Sequence, residues 1–291
     1  MIHLRICALI VIALVWAGCV SNTKQSLTII STQSPADGNS REPELTPAQN
    51  DGVILSWVEM IRDDRYALRM STLEANGWSE TRTVAEGENW FINWADFPSV
   101  IALNDGTLAA HWLVKSGKGT YAYDVNISMS KDGGRTWTKP LVPHRDNTQT
   151  EHGFVSLIPL SDGRLGATWL DGRNMKNMKE TDEHAPAPES MILRYATIDA
   201  NGNLSDETQL DERVCECCQT SAAITANGPI IVYRDRSATE VRDIYIVRRL
   251  CTKTTHVSEW ILEFLPTQRS PQLRNPINVS WWILQLRRLQ A

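Results

Sequence analysis

The 291-residue chain has no surplus of positive charge: 29 Lys and Arg stand against 34 Asp and Glu, for a formal net charge of -5. A nucleic-acid partner, which a basic excess or a basic stripe would signal, is set aside on that ground. The apolar run at the N-terminus, Ile6 to Val15, is too short to cross a bilayer comfortably. From Val20 to about Asn50 large apolar residues are few, so this stretch cannot bury enough surface to offset chain entropy. From Cys251 onward there is neither Gly nor Asp, although the preceding sequence is punctuated by Asp-Gly and Asn-Gly pairs. What is present is ordinary globular material, 42% hydrophobic and 22% charged, enough for one large all-β domain or two smaller ones.

The N-terminus reads as an address. Arg5, the apolar run, and Trp16-Ala17-Gly18-Cys19 before a polar stretch describe a secretory signal peptide over residues 1–18. Ala17-Gly18-Cys19 resembles a bacterial lipobox, which implies acylation of Cys19, with Trp16 where that pattern prefers Leu. Val20 is not the Asp that favours inner-membrane retention, so the expected location is the outer membrane, facing the periplasm or the surface. Residues 19–46 are expected to be a tether from that anchor.

An internal repeat organises residues 47–250. Phe97 to Trp112 (FPSVIALNDGTLAAHW) lies without a gap over Phe154 to Trp169 (FVSLIPLSDGRLGATW), with weaker copies from Thr220 to Asp235 and ending at Trp57. Each unit reads as a short strand, an Asn/Asp-Gly turn that accepts positive φ, and a second strand. More strand-like sequence follows, so four strands per unit predict a propeller blade.

Ser130-Lys131-Asp132-Gly133-Gly134-Arg135-Thr136-Trp137 fits the S-x-D-x-G-x-x-W pattern, with Ser130, Asp132, Gly134 and Trp137 at its fixed positions. On this motif and the repeat, the chain resembles the sialidase (neuraminidase) superfamily of Asp-box β-propellers. The resemblance implies an all-β fold with six blades, of which about four are recognisable here. Residues 251–291 depart from the pattern, which reads as a truncated or frame-shifted copy; the alternative is a genuine terminal helix, since Trp281 to Leu289 has some helical spacing.

The resemblance also sorts residues by face. Loops entering the first strand of each unit and leaving the second lie on the binding face, which collects Trp94, Asp96, Glu151, Asp171, Arg173, Arg234 and Arg236. Guanidinium groups pair with carboxylates, so Arg173, Arg234 and Arg236 are candidate binders of an acidic sugar, with Trp94 and Asp171 beside them. Asp96 or Glu151 is the candidate acid/base; for any one of these residues the plainer alternative is a surface ion pair. Two parts of the family's pattern are absent: there is no Arg-Ile-Pro, Arg41 being followed by Glu42-Pro43, and neither Tyr233 nor Tyr245 can be assigned the nucleophile's role. Two functions stay open: a sialidase-like exo-glycosidase acting on acidic glycans, and a non-catalytic envelope propeller binding glycan, protein or metal.

The cysteines are a separate signal. Cys215, Cys217 and Cys218 lie within four residues of a chain expected to be exported. They read as disulfide partners, as free thiols, or as ligands of zinc or copper with His152 as a further ligand.

Overall fold

The computed structural model describes residue 29 and residues 31–176, 190–251 and 258–264. The signal peptide and Cys19 lie outside the described residues, as does the helical spacing of Trp281 to Leu289. Every sheet is antiparallel. The first contains β1 (Ser40–Pro47), β2 (Val53–Arg62), β3 (Arg65–Glu74), β4 (Gly77–Trp78) and β5 (Arg82–Glu88), with β4 and β5 both pairing with β3. The second holds β6 (Ser99–Ala102), β7 (Leu108–Lys115) and β8 (Tyr123–Ser130). The third holds β9 (His152–Pro159), β10 (Leu165–Asp171), β11 (Met191–Ile198) and β12 (Leu204–Val214), with a 3-10 turn at Arg173–Met175. The fourth runs β13 (Ser221–Thr225), β14 (Gly228–Arg234), β15 (Ile244–Cys251), β16 (Ser258–Phe264). Thus all of β1 but Pro47 falls within the stretch expected as a tether, and β16 within the atypical tail.

The repeated sequence produces repeated turns. Between β6 and β7 the Leu103 N–H donates to Thr107 O at 2.8 Å and Gly106 N–H to Leu103 O at 3.0 Å, with Gly106 at φ +85°. Between β9 and β10 Leu160 N–H donates to Arg164 O at 3.0 Å and Gly163 N–H to Leu160 O at 3.1 Å, with Gly163 at φ +82°. A glycine at the fourth position accepts this left-handed backbone without the Cβ clash other residues suffer. The turn after β8 is fixed by side chains: Asp132 Oδ1 accepts from Ser130 Oγ, Arg135 N–H and Thr136 N–H, and Ser130 Oγ accepts from Gly134 N–H.

The fold expectation is corrected at the next level. Among the described residues, four separate open sheets stand where a closed, sialidase-like β-propeller was expected; no ladder there joins one sheet to another and no sheet is closed. With the closed architecture go the sialidase assignment, the exo-glycosidase reading and its propeller-module alternative. The physical reason is that the Asp-Gly repeat and the Ser130–Trp137 turn specify hairpins, which are local, whereas closing a ring is a long-range property that no turn encodes.

Apolar side chains fill the spaces between consecutive sheets. Ile54, Leu68 and Met70 meet Val100, Ala110 and Trp112; Leu113, Val125 and Ile127 meet Val155, Leu165 and Trp169; Phe154, Ile158 and Leu193 meet Ile231, Tyr233 and Val247. β7 and β10 are buried along nearly their whole length because they are covered on both faces. Trp169 is fully buried and its Nε1 donates to Asp171 Oδ2 at 2.9 Å. Trp169→Ala is expected to cost about 3–5 kcal/mol, read as a lowered urea midpoint, because it opens a cavity and removes a donor from a buried carboxylate.

Candidate metal centre

Strand ends carry the polar residues, and the structure divides them into three groups. The first is built on Asp96, which precedes β6 and is buried. Its Oδ2 accepts the Phe154 N–H at 2.8 Å and the Tyr123 hydroxyl at 3.4 Å, and the same hydroxyl lies 2.8 Å from Glu151 Oε1. The two candidate acid/base residues are therefore brought together, through a tyrosine that the sequence reading missed. This approach requires Gly153, where a Cβ would overlap both the Asp96 carboxyl and the Tyr123 ring. Phe91 stacks on Tyr123 at 3.8 Å between ring centroids and fixes the ring from behind. Burial pushes Asp96 up to about 7 against the bonds from Phe154 and Tyr123, and Glu151 up to about 7 against the bond from Tyr123. Glu42 is pushed up to about 8 by burial, with the Arg41 guanidinium opposing and the Asp96 charge adding. Asp96 Oδ1 and Glu42 Oε2 are buried with no hydrogen-bond partner among the described residues. Trp94 is 86% exposed and stands apart.

The second group surrounds His152. Its Nδ1 faces the carbonyl oxygens of Thr150 at 3.1 Å and Tyr123 at 3.3 Å, and its Nε2 faces Asp146 Oδ2 at 3.2 Å. Both nitrogens thus look at acceptors. Burial acts to lower the pKa of this ring, but the Asp146 bond and the charges of Asp171, Asp146 and Asp124 outweigh it and hold the ring toward its charged form. His144 stacks on it, ring centroids 3.7 Å apart and planes 2° from parallel; burial, reinforced by the charge of His152, pushes His144 down to about 3. Arg173 donates to both oxygens of Asp171, at 2.7 and 2.6 Å, and lies 3.2 Å from Asp146. Arg173 and Asp171 are accordingly occupied with each other rather than presented to an acidic ligand.

The third group is the cysteine loop between β12 and β13. Cys215 is buried, Cys218 half-buried and Cys217 exposed. Cys215 Sγ lies 2.7 Å from Cys218 Sγ and 3.9 Å from Cys217 Sγ. Arg234 Nη1 donates to Cys218 Sγ at 3.5 Å and Arg242 Nη1 to Cys215 Sγ at 3.6 Å. Burial opposes ionisation of Cys215, but bonds from Cys218 and Cys217 and the nearby Arg234 charge bring its pKa below the ordinary thiol value. Burial, then the bond to Cys215, pushes Cys218 up to about 12. Arg236, expected to bind a carboxylate ligand, is buried in ion pairs with Glu216 and Glu240.

Among the described residues, three sets of side chains bring metal-ligand atoms within 4.8 Å of one another: Cys215, Cys217 and Cys218; Asp124, His144 and His152; and Asp146, His152 and Asp171. They differ in free donors. A ligating imidazole must offer an in-plane lone pair, and His152 has both nitrogens turned to oxygen acceptors while two parallel stacked rings cannot aim at one ion between them. Asp146 and Asp171 are already held by Arg173. The sulfur atoms accept only the longer contacts from Arg234 and Arg242, at 3.5 and 3.6 Å, and soft ligands suit zinc or Cu(I). His152 belongs to its own network and does not join them, which corrects its expected role as a fourth ligand. A cavity of about 350 Å³ lined by residues including Gln49, Met70, Arg82, Leu108 and Arg135 contains none of the sequence-predicted site residues.

No family model matches the chain, and no curated protein matches it. Solved structures similar to it include a protein of unknown function from Dyadobacter fermentans, at 15% identity over 77% of this chain and 68% of that one, with a TM-score of 0.48. An α-L-arabinanase of Penicillium chrysogenum matches at 14% identity over 77% and 66% of the two chains, TM-score 0.48. A Hadza microbial sialidase matches at 14% identity over 75% and 57%, TM-score 0.36. Similarity this low carries no argument about architecture or chemistry, so the site is read from its own atoms.

The acid group gives stability a pH dependence of defined sign. Carboxyls whose folded pKa is raised lend stability that is complete below the unfolded value and lost as pH rises through the folded value, here about 7 to 8. His152, also raised, acts in the same sense, whereas His111 and His144, held near 3, act only below about pH 6.5. The unfolding free energy, read through the urea midpoint, is therefore expected to fall between pH 6.5 and 8.5, with a slope of about 1.4 kcal/mol per pH unit for each extra proton held by the folded state. Asp96→Asn should flatten that slope; an unchanged slope would remove Asp96 from the account.

Proposed function

We propose that this chain is an exported, lipid-anchored protein that binds one thiophilic metal ion, zinc or Cu(I), through Cys215, Cys217 and Cys218. The observation that supports it is the convergence of three sulfur atoms within 4.8 Å beside the guanidinium groups of Arg234 and Arg242. Thiolates, not thiols, are the ligands, and two adjacent cations favour that form. A metal–sulfur bond of about 2.3 Å places sulfurs about 3.8 Å apart around one tetrahedral ion. Cys215 and Cys217 already stand at 3.9 Å, so the adjustment needed is a widening of the 2.7 Å gap between Cys215 and Cys218. Export and the Cys19 anchor rest on the N-terminal sequence, and they would place the site in the envelope.

Competition of the reduced full chain against a chromophoric chelator, with Zn(II) and separately with Cu(I), tests the proposal. One ion per chain is the expected stoichiometry, with proton release on binding and at least a 100-fold loss of affinity in Cys215→Ser. Equal affinity in a variant carrying Ser at all three positions would overturn it.

A further inference from the structure

The three cysteines differ in exposure as well as spacing, and this arrangement supports a second activity that needs no metal. We propose that Cys217, Cys215 and Cys218 form a thiol–disulfide exchange relay that takes oxidising equivalents from a small-molecule or protein disulfide and stores them as a Cys215–Cys218 bond. Cys217 is the exposed sulfur and can meet a disulfide substrate, whereas Cys215 is buried behind it at 3.9 Å and Cys218 touches Cys215 at 2.7 Å. Arg242 at Cys215 and Arg234 at Cys218 place a positive charge beside each of the two sulfurs that form the stored bond. The loop that carries them is pinned at one end by Cys215 N–H donating to Arg234 O at 2.9 Å, and at the other by the buried Thr220, whose hydroxyl donates to Phe154 O at 2.7 Å.

The steps balance. The Cys217 thiolate attacks a disulfide RSSR, forming Cys217–S–S–R and releasing one RS⁻. Cys215, giving up its proton to the first RS⁻, attacks the Cys217 sulfur, forming a Cys215–Cys217 disulfide and releasing the second RS⁻. Cys218, giving up its proton to a released thiolate, attacks Cys215 and returns Cys217 as a thiolate. Two protein thiols are oxidised, one RSSR is reduced to two RSH, and the exposed sulfur is free again. The stored bond occupies two of the three sulfurs, so oxidation and metal binding through all three exclude each other.

The test uses the full chain, stripped of metal with a chelator and exposed to oxidised glutathione, then alkylated and mapped by mass spectrometry over time. The relay expects a loss of two hydrogens located at Cys215 and Cys218, with Cys217 alkylated. Cys217→Ser should reach the same bond at least tenfold more slowly, and Cys215→Ser should stop at a glutathione adduct on Cys217. Wild-type protein that accumulates only glutathione adducts, or Cys217→Ser that oxidises at the wild-type rate, would overturn the relay. Mapping the wild type needs no variant to fold, and the urea midpoint of Cys217→Ser checks that its exposed site tolerates the change. Metal affinity is measured separately on the reduced chain, so a protein that binds metal without forming the internal bond sinks only the relay, and the reverse result sinks only the metal site.

Discussion

A sheet of three to five strands cannot bury its own faces, and the rest of this structure follows from that constraint. Among the described residues, each sheet shares its apolar side chains with the next one in chain order, leaving three cores between four sheets. Strands covered on both faces, such as β7 and β10, have no room for an unpaired charge along their length. Polar residues are therefore concentrated at strand ends, where each is either paired, as Asp171 is by Trp169 and Arg173, or pushed toward its neutral form, as Asp96 and Glu42 are. The cysteine loop belongs to the same pattern: it joins the exposed edge of the third sheet to the fourth and draws one sulfur inward while leaving another in solvent.

Local features were legible in the sequence because their causes are local. The alignment of Phe97–Trp112 with Phe154–Trp169 marked two hairpins whose turns have the same hydrogen bonds and the same left-handed glycine. Ring closure was not legible, since it depends on contacts far apart in the chain, and the expectation built on it failed. The strand-end rule placed Asp96 and Glu151 near each other, but the hydroxyl that joins them comes from Tyr123 at the start of β8. Its access depends on the missing side chain of Gly153, a steric condition with no sequence pattern of its own.

The arginines illustrate a different limit. Arg173, Arg234 and Arg236 were identified as cations at strand ends, yet their partners were chosen by geometry: Asp171 and Asp146 for the first, a cysteine sulfur for the second, Glu216 and Glu240 for the third. Residue type tells that a guanidinium will find an acceptor and says nothing of which one. Arg242, which the sequence reading did not single out, completes the environment of Cys215 from the loop before β15. The same reasoning separates the three sets of ligand atoms. In the His152 sets both nitrogens of His152 face acceptors and Arg173 holds Asp146 and Asp171, while His144 Nε2 and Asp124 Oδ1 are buried with no hydrogen-bond partner among the described residues. The three sulfurs crowd together beside two cations at 3.5 and 3.6 Å, and both a soft ion and a disulfide would relieve that crowding.

X-ray absorption at the metal edge of the reduced, metal-loaded chain tests the central claim most directly. The account predicts an inner shell containing three sulfur atoms at about 2.3 Å. A shell of nitrogen and oxygen alone would contradict it and move the ion to the histidine and carboxylate groups.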